Sequence, residues 1–295
     1  MYPQSFEYFC PDTLAGVIEL LTKYGEEARV LAGGQSLIPL MKLRLASPRY
    51  VIDLDKLPDL SGIAGQGNEI FIGALSCHTE IEESELVKSK LPLLHDAVSV
   101  VADVQVRNLG TVGGSLAHAD PAGDLAPALM ALGARINTVS SSGKATLGMG
   151  ELLVDAYLTS LDGDQVITEI LVPVPPQGSG GAYIKFERRA GDFAVASIGV
   201  QLTLDKNGNC GEIVIAMGAV GVTALRAKKA EALLRNHPIS DDLLKEAASA
   251  ASAECDPLAD IRGSVDYKRH LIGVLLRRAV AVALRRAGAT REQAV

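Results

Sequence analysis

Residues 28–32 form a short apolar segment that runs straight into Gly33–Gly34–Gln35–Ser36, and a second apolar segment, residues 37–45, follows at once. A buried strand, a turn of paired glycines and a helix make one compact unit. Glycine lets the backbone adopt conformations closed to other residues and approach a ligand closely. The loop amides then offer hydrogen-bond donors to an anion. The spacing is neither GxGxxG nor a Walker loop. It reads either as a phosphate cradle or as an ordinary tight strand–helix turn.

The flanking elements are legible. Asp12 or Thr13 caps a helix whose apolar residues are Leu14, Val17, Ile18 and Leu21, and Gly25 is placed to end it. Pro39 is compatible only with the first turn of the 37–45 helix. Residues 49–54 read as a strand, so the start of the chain gives helix, strand, loop, helix, strand. Residues 69–75 suggest another strand, and residues 84–101 have helical spacing broken by Pro92. A short helix at 125–132 and strands at 134–139 and 165–172 follow. Pro173, Pro175, Pro176, Gly178, Gly180 and Gly181 then mark a composition break that reads as a domain boundary. Beyond it come strands at 182–189, 194–204 and 212–220, with Asn207–Gly208 as the hairpin turn between the last two. Helices at 223–236, 241–254 and 267–286 complete the chain.

A second glycine-punctuated stretch spans residues 107–127. Gly110–Thr111–Val112–Gly113–Gly114–Ser115 again presents backbone amides and two hydroxyls. Asp124 either accepts from ribose hydroxyls or an adenine amino group, or caps the next helix. Asp120, before Pro121, is a common turn element. Two such loops suit a ligand with two phosphates and a long body, a dinucleotide rather than a mononucleotide.

Charge and composition exclude several classes. The net charge of −7 argues against a general nucleic-acid binder. No apolar run reaches the roughly eighteen residues of a membrane span, and the first ten residues lack a signal-peptide pattern. A cytoplasmic protein is expected. Cys10, Cys77, Cys210 and Cys255 are far apart with no CxxC pair, so an iron–sulfur cluster in this chain is not expected. His78, His95, His118, His237 and His270 show no metal-ligand spacing with a carboxylate. Lys185, beside Glu187, Arg188 and Arg189, reads on its own as a solvent-facing charged edge, and Phe193 as core. The cations of the 267–286 helix read as C-terminal dipole partners on a helix whose apolar face meets the core.

The stretches AGGQSLIPLMKLRL and RNLGTVGGSLAHADPAGDLAP, in this order and spacing, resemble the flavoprotein or medium subunit of molybdenum hydroxylases. Carbon monoxide dehydrogenase and the FAD domain of xanthine dehydrogenase represent the family. KFERRAGDFAVASIGV and YKRHLIGVLLRRA are also similar to it, so the resemblance covers nearly the whole chain. It implies an α+β fold. Residues 1–176 would form a two-part FAD-binding domain of the vanillyl-alcohol-oxidase type, with subdomains at about 1–56 and 57–176. Residues 178–288 would form the family's C-terminal domain, an antiparallel sheet with helices. The resemblance gives Leu31, Ala32, Gly33, Gly34, Gln35, Ser36 and Leu37 as FAD-binding, of which Ala32 to Leu37 would hold the diphosphate. Thr111, Gly113, Gly114 and Ser115 would complete the cradle, with Gly110 and Ala117 also binding FAD. Asp124 would hold the adenosine half. Val101, Ile167, Lys185 and Phe193 would surround the flavin. Ser115 stands where many relatives carry Asn, and the cysteine-rich insert of the thioester-reducing branch is missing.

The implied function is electron transfer. FAD would take electrons from 2Fe–2S clusters on a small partner subunit and pass them to an external acceptor. The organic substrate would react at a molybdenum cofactor on a large partner subunit, in a dimer of heterotrimers. No acid–base dyad is visible in this chain. Two other readings stand beside this one: a self-sufficient FAD oxidase or dehydrogenase with its own substrate pocket, and a non-catalytic nucleotide-binding module.

Overall fold

The computed structural model describes residues 2–289. The first unit is a three-stranded parallel sheet. It comprises β1 (Glu7–Phe9), α1 (Leu14–Tyr24), β2 (Ala28–Leu31), α2 (Leu37–Lys42) and β3 (Tyr50–Asp53), with strand order β1-β3-β2. Thr13 caps α1, its hydroxyl accepting from Gly16 N at 3.1 Å, and Gly25 ends it at φ 51°. Val17 and Leu21 on α1 pack with Ala28, Ile52 and Leu54 into a small core of their own. The helix predicted over 37–45 stops at Lys42, and Arg44 turns the chain at φ 59°.

The second unit is a five-stranded antiparallel sheet surrounded by short helices. Its strands are β4 (Ile63–Gln66) and β5 (Glu69–Gly73), then β6 (Arg135–Ser140), β7 (Gly143–Gly148) and β10 (Val166–Pro173), in the order β4-β5-β10-β6-β7. Between β5 and β6 lie α3 (His78–Glu83), α4 (Glu85–Lys90), α5 (Pro92–Ser99), α6 (Val104–Leu109), α7 (Val112–His118) and α8 (Leu125–Ala131). Between β7 and β10 lie α9 (Met149–Leu152) and the small hairpin β8 (Leu153–Asp155) and β9 (Leu158–Thr159). Pro92 breaks the 84–101 helix as expected, because a proline lacks the donor that a continuous helix needs. The stretch read as a glycine-punctuated loop is helical over most of its length, in α6 and α7. Asp103 and Thr111 start these helices by accepting from Val106 N and Gly114 N.

The third unit is a four-stranded antiparallel sheet, β11 (Ser179–Phe186), β12 (Ala196–Leu204), β13 (Cys210–Gly218) and β14 (Leu225–Arg226). It is backed by α10 (Lys228–Leu234), α11 (Asp241–Glu254) and α12 (Val265–Arg286). The Asn207–Gly208 turn joins β12 to β13, with Gly208 at φ 81°. Gly180 and Gly181, taken with the prolines as a break in the chain, stand inside β11. A Cβ on Gly180 would lie 2.0 Å from Ala283 O of α12, and one on Gly181 would lie 3.0 Å from Leu93 of α5. The strand is thus pressed between a helix of its own unit and a helix of the preceding one. On the other strands, Gly199 and Gly218 leave room for Pro127 and Ala128 of α8. Arg286 clamps the same junction, giving its guanidinium to Asp96 and, at 2.7 Å, to Gly181 O.

Candidate functional site

An open cleft of about 400 Å³ runs between the first and second units and reaches the edge of β11. Its first wall is the turn after β2. Gly33 and Gly34 adopt φ of 68° and 74°, so the chain reverses without a side chain in the way. Gly34 N donates to Ala32 O at 2.8 Å, and Ile38 N donates to Gly34 O at 3.1 Å. The N–H groups of Gln35, Ser36 and Leu37 find no acceptor among the described residues. Three adjacent donors with no protein partner, beside a glycine, form a cradle for an anion.

The second wall is the start of α7, and its amides are engaged. Val112 N donates to Ser76 O, Gly113 N to Ala74 O, Gly114 N to the Thr111 hydroxyl and Ser115 N to Thr111 O. This wall gives the cleft the Thr111 and Ser115 side chains and a surface kept low by glycine. The walls touch. A Cβ on Gly33 would lie 1.9 Å from Leu109 O, and one on Gly114 would lie 3.4 Å from Ala32 O.

At the far end, Asp124 and Lys185 form a buried pair at 3.0 Å, with side chains 7% and 2% exposed. Lys185 Nζ also donates to Val100 O at 2.9 Å and lies 3.2 Å from the Glu187 carboxylate. Tyr183 donates its hydroxyl to the other Asp124 oxygen at 2.7 Å. Burial pushes the Asp124 carboxyl up to about 6, while Lys185 and Tyr183 pull it down. Lys185 is therefore no solvent-facing edge: β11 turns it inward onto Asp124, just before α8, and Glu187, just past the end of β11. Asp124 makes no side-chain cap to α8, because both its oxygens face β11.

His78 supplies a group the sequence reading left without a role. It lines the cleft, buried against Gly110, and its Nδ1 has no hydrogen-bond partner among the described residues. Burial, then the Arg107 guanidinium, lowers its pKa to about 4, so the ring is neutral near pH 7. Its signal in the sequence was only its place just after β5. Phe193, half exposed, lies in the loop after β11, and Gly191 in that loop packs on the Ala102 carbonyl.

Of the expected site residues, Ala32, Gly34, Gln35, Ser36, Leu37, Val101, Gly110, Thr111, Gly114, Ser115, Ala117, Asp124, Lys185 and Phe193 line this cleft. Leu31 ends β2 just behind it. Gly33 and Gly113 instead face protein, at Leu109 and Ala74. Ile167 lies in the core beneath the five-stranded sheet.

Residues 4–175 match the model of the FAD binding domain in molybdopterin dehydrogenase. The chain belongs to this family. Residues 181–283 match the CO dehydrogenase flavoprotein C-terminal domain, the second part of the same architecture. The chain is 37% identical to the 6-hydroxypseudooxynicotine dehydrogenase complex subunit alpha of Paenarthrobacter nicotinovorans, covering 99% of each. Among solved structures, a chain of carbon monoxide dehydrogenase from Hydrogenophaga pseudoflava superposes with a TM-score of 0.95 at 38% identity, over 97% of this chain and 99% of that one. A chain of quinoline 2-oxidoreductase from Pseudomonas putida 86 gives 0.90 at 31% identity, over 98% and 99%. The protein is an FAD-binding medium subunit of the molybdenum hydroxylases, an oxidoreductase component. The cleft suits that cofactor: free amides at Gln35–Leu37 stand where a diphosphate needs donors, and Gly34 keeps the space before them clear. Among the described residues, no helix is long and apolar enough to cross a membrane.

Proposed function

We propose that FAD lies in this cleft and relays electrons from iron–sulfur clusters of a small partner subunit to an external acceptor. The observation that carries the reading is the convergence of the two glycine segments, one offering unpaired amides and the other a low surface. The diphosphate would rest on Ala32–Leu37 and against Thr111–Ser115. Lys185 and Phe193 would stand beside the flavin, and Asp124, paired with Lys185 at 3.0 Å, would stand with them rather than toward the adenosine half as the resemblance implies. Residues 1–176 then form the FAD domain and residues 178–288 the C-terminal domain.

FAD, when bound, supplies the exchange between one-electron and two-electron carriers. The chain's own groups do the rest. The Gln35, Ser36 and Leu37 amides would donate hydrogen bonds to the diphosphate oxygens. Lys185 would place its ammonium at the end of the cleft, held there by Asp124 and Glu187. His78, neutral, offers either a donor or an acceptor on the cleft wall. A large molybdopterin subunit would carry the organic chemistry, the whole enzyme being a cytoplasmic dimer of heterotrimers. Titrating the purified chain with FAD and with FMN tests the reading. Saturable binding of FAD with at least tenfold weaker FMN is expected, because FMN lacks the adenosine half and the second phosphate. Equal affinity for the two would overturn it.

A further inference from the structure

Beyond the cleft lies a second cavity of about 250 Å³. Asp120, Tyr157 and Phe193 line both spaces, so these side chains form the partition between them. The far walls come from the C-terminal unit: Val222 after β13, and Leu258 and Arg262 before α12. Left-handed backbone gathers at the partition. Ala119, Tyr157 and Ala219 have φ of 50°, 58° and 62°. Tyr157 N is tied to Ala119 O and Ala219 N to Pro121 O, each at 2.9 Å. Non-glycine residues persist in such conformations only where the surroundings over-determine them, and they cluster at functional sites.

The walls select against phosphate. The amides of Arg262 and Gly263 donate to the Asp260 carboxylate at 2.8 and 3.1 Å. Lys268 gives its ammonium to the same carboxylate at 2.8 Å and to Leu258 O at 3.0 Å. An internal anion thus already occupies the donors that a dinucleotide would need, and Asp120 adds a further negative charge at the partition. Arg262 is different: its guanidinium stands 5.5 Å from the Phe193 ring and makes no ion pair among the described residues. Burial and then the Asp120 carboxylate push the pKa of the Tyr157 phenol up, against a smaller pull from Arg262, so the phenol keeps its proton. Part of the mouth is apolar. Val222 and Leu258 line it at 46% and 74% exposed, and nearby Ile261 is 86% exposed. Exposed apolar side chains beside a cavity suit an apolar ligand.

We propose that this cavity is the electron-acceptor site and that it takes a quinone, a flat apolar ring whose two carbonyl oxygens accept from Arg262 and Tyr157. The proposal rests on FAD lying in the adjoining cleft, with Phe193 between the two. The quinone gains two electrons and two protons and becomes a hydroquinone. Both electrons would come from two-electron-reduced FAD across Phe193, and FAD would return to its oxidised form with its proton released to water in the flavin cleft. Both protons of the hydroquinone come from water at the open mouth. The exposed collar of Leu258 and Ile261 receives a lipophilic tail.

The test is equilibrium dialysis of duroquinone against the FAD-loaded full-length chain. This quinone is fully substituted and does not alkylate free thiols. Saturable binding near one per chain is expected, undisturbed by NADH. Val222→Trp, which fills the cavity away from the flavin cleft, and Arg262→Gln should each weaken it at least tenfold with FAD content unchanged. The same variants should slow reoxidation of dithionite-reduced protein by duroquinone. Displacement by NADH, or unaltered binding in both variants, overturns the acceptor assignment. A chain that holds no FAD but binds duroquinone in a Val222-dependent way keeps the cavity and removes the flavin assignment instead.

Discussion

Gly33 and Gly34 sit at φ of 68° and 74°, in backbone that other residues adopt only under strain, and the amides that follow them are unpaired. Gly113 and Gly114 lie within α7, in ordinary helical backbone, with every amide from Val112 to Ser115 engaged. The first pair serves the shape of the chain and the ligand it faces. The second serves packing: a Cβ on Gly113 would come within 2.7 Å of the Ala74 Cβ and 2.8 Å of its carbonyl. The same residue type thus builds one wall by freeing the backbone and the other by removing bulk. A glycine pair in a sequence does not declare which of these it does.

Substitutions at the two walls should separate these roles. The largest effect belongs to Gly33→Val. Its Cβ would collide with the Leu109 carbonyl, and its branched side chain resists the left-handed backbone. FAD absorbance should vanish from the purified protein while circular dichroism shows the sheets intact. A full complement of flavin would show that the first turn need not close on Leu109.

Lys185→Met comes next. Removing one partner of a buried pair typically costs about 3–5 kcal/mol, because the other charge stays buried and unpaired. Denaturant unfolding should show a loss in that range, reduced to the extent that Asp124 takes up a proton. A loss below about 1 kcal/mol that does not grow as pH rises, so that proton uptake by Asp124 is not what limits it, would mean that the pair behaves as an exposed one.

Gly113→Ala sets two effects against each other. Helix propensity favours alanine by about 1 kcal/mol, and overpacking against Ala74 opposes it by about 1–3 kcal/mol. Packing should win, lowering the melting temperature by a few degrees. A rise would mean that this glycine, too, is chosen for its backbone.

The last effect is a pH slope. Asp124 titrates at about 6 when folded against an ordinary 3.8. The folded chain then holds a proton that the unfolded chain releases, and the contribution of this group to stability falls as pH rises from roughly 4 to 6. Asp124→Asn should flatten that part of the stability profile. An unchanged slope would mean that Lys185 and Tyr183 fully offset the burial.

Local chemistry made much of this legible. Thr13, Gly25, Pro92 and Asn207–Gly208 act on their immediate neighbours, and each marks its element where the sequence suggests. What was hidden depends on distant partners. The helicity of α7 runs against the low propensity of its glycines and is held by Ala74 and Ser76, far back in the chain. The burial of Lys185 depends on Asp124, 61 residues earlier. Gly180 and Gly181 looked like a break because the helices that press on β11 are not their neighbours in sequence. β1, β4 and β7 escaped notice because they are short and largely exposed, leaving little apolar alternation to read. The cleft residues themselves emerged from the family resemblance more than from periodicity.

The most direct test of the two-wall cleft is FAD affinity in Ser36→Asp and Ser115→Asp, one carboxylate on each wall. Ser36 is the N-cap of α2, where an aspartate is favoured, whereas Ser115 is in the middle of α7, so the flavin-free melting temperature of each variant is measured beside its FAD affinity. If the diphosphate lies between the walls, each variant should bind FAD at least tenfold more weakly. Normal affinity in either one would contradict the account, because that wall would not face the phosphates.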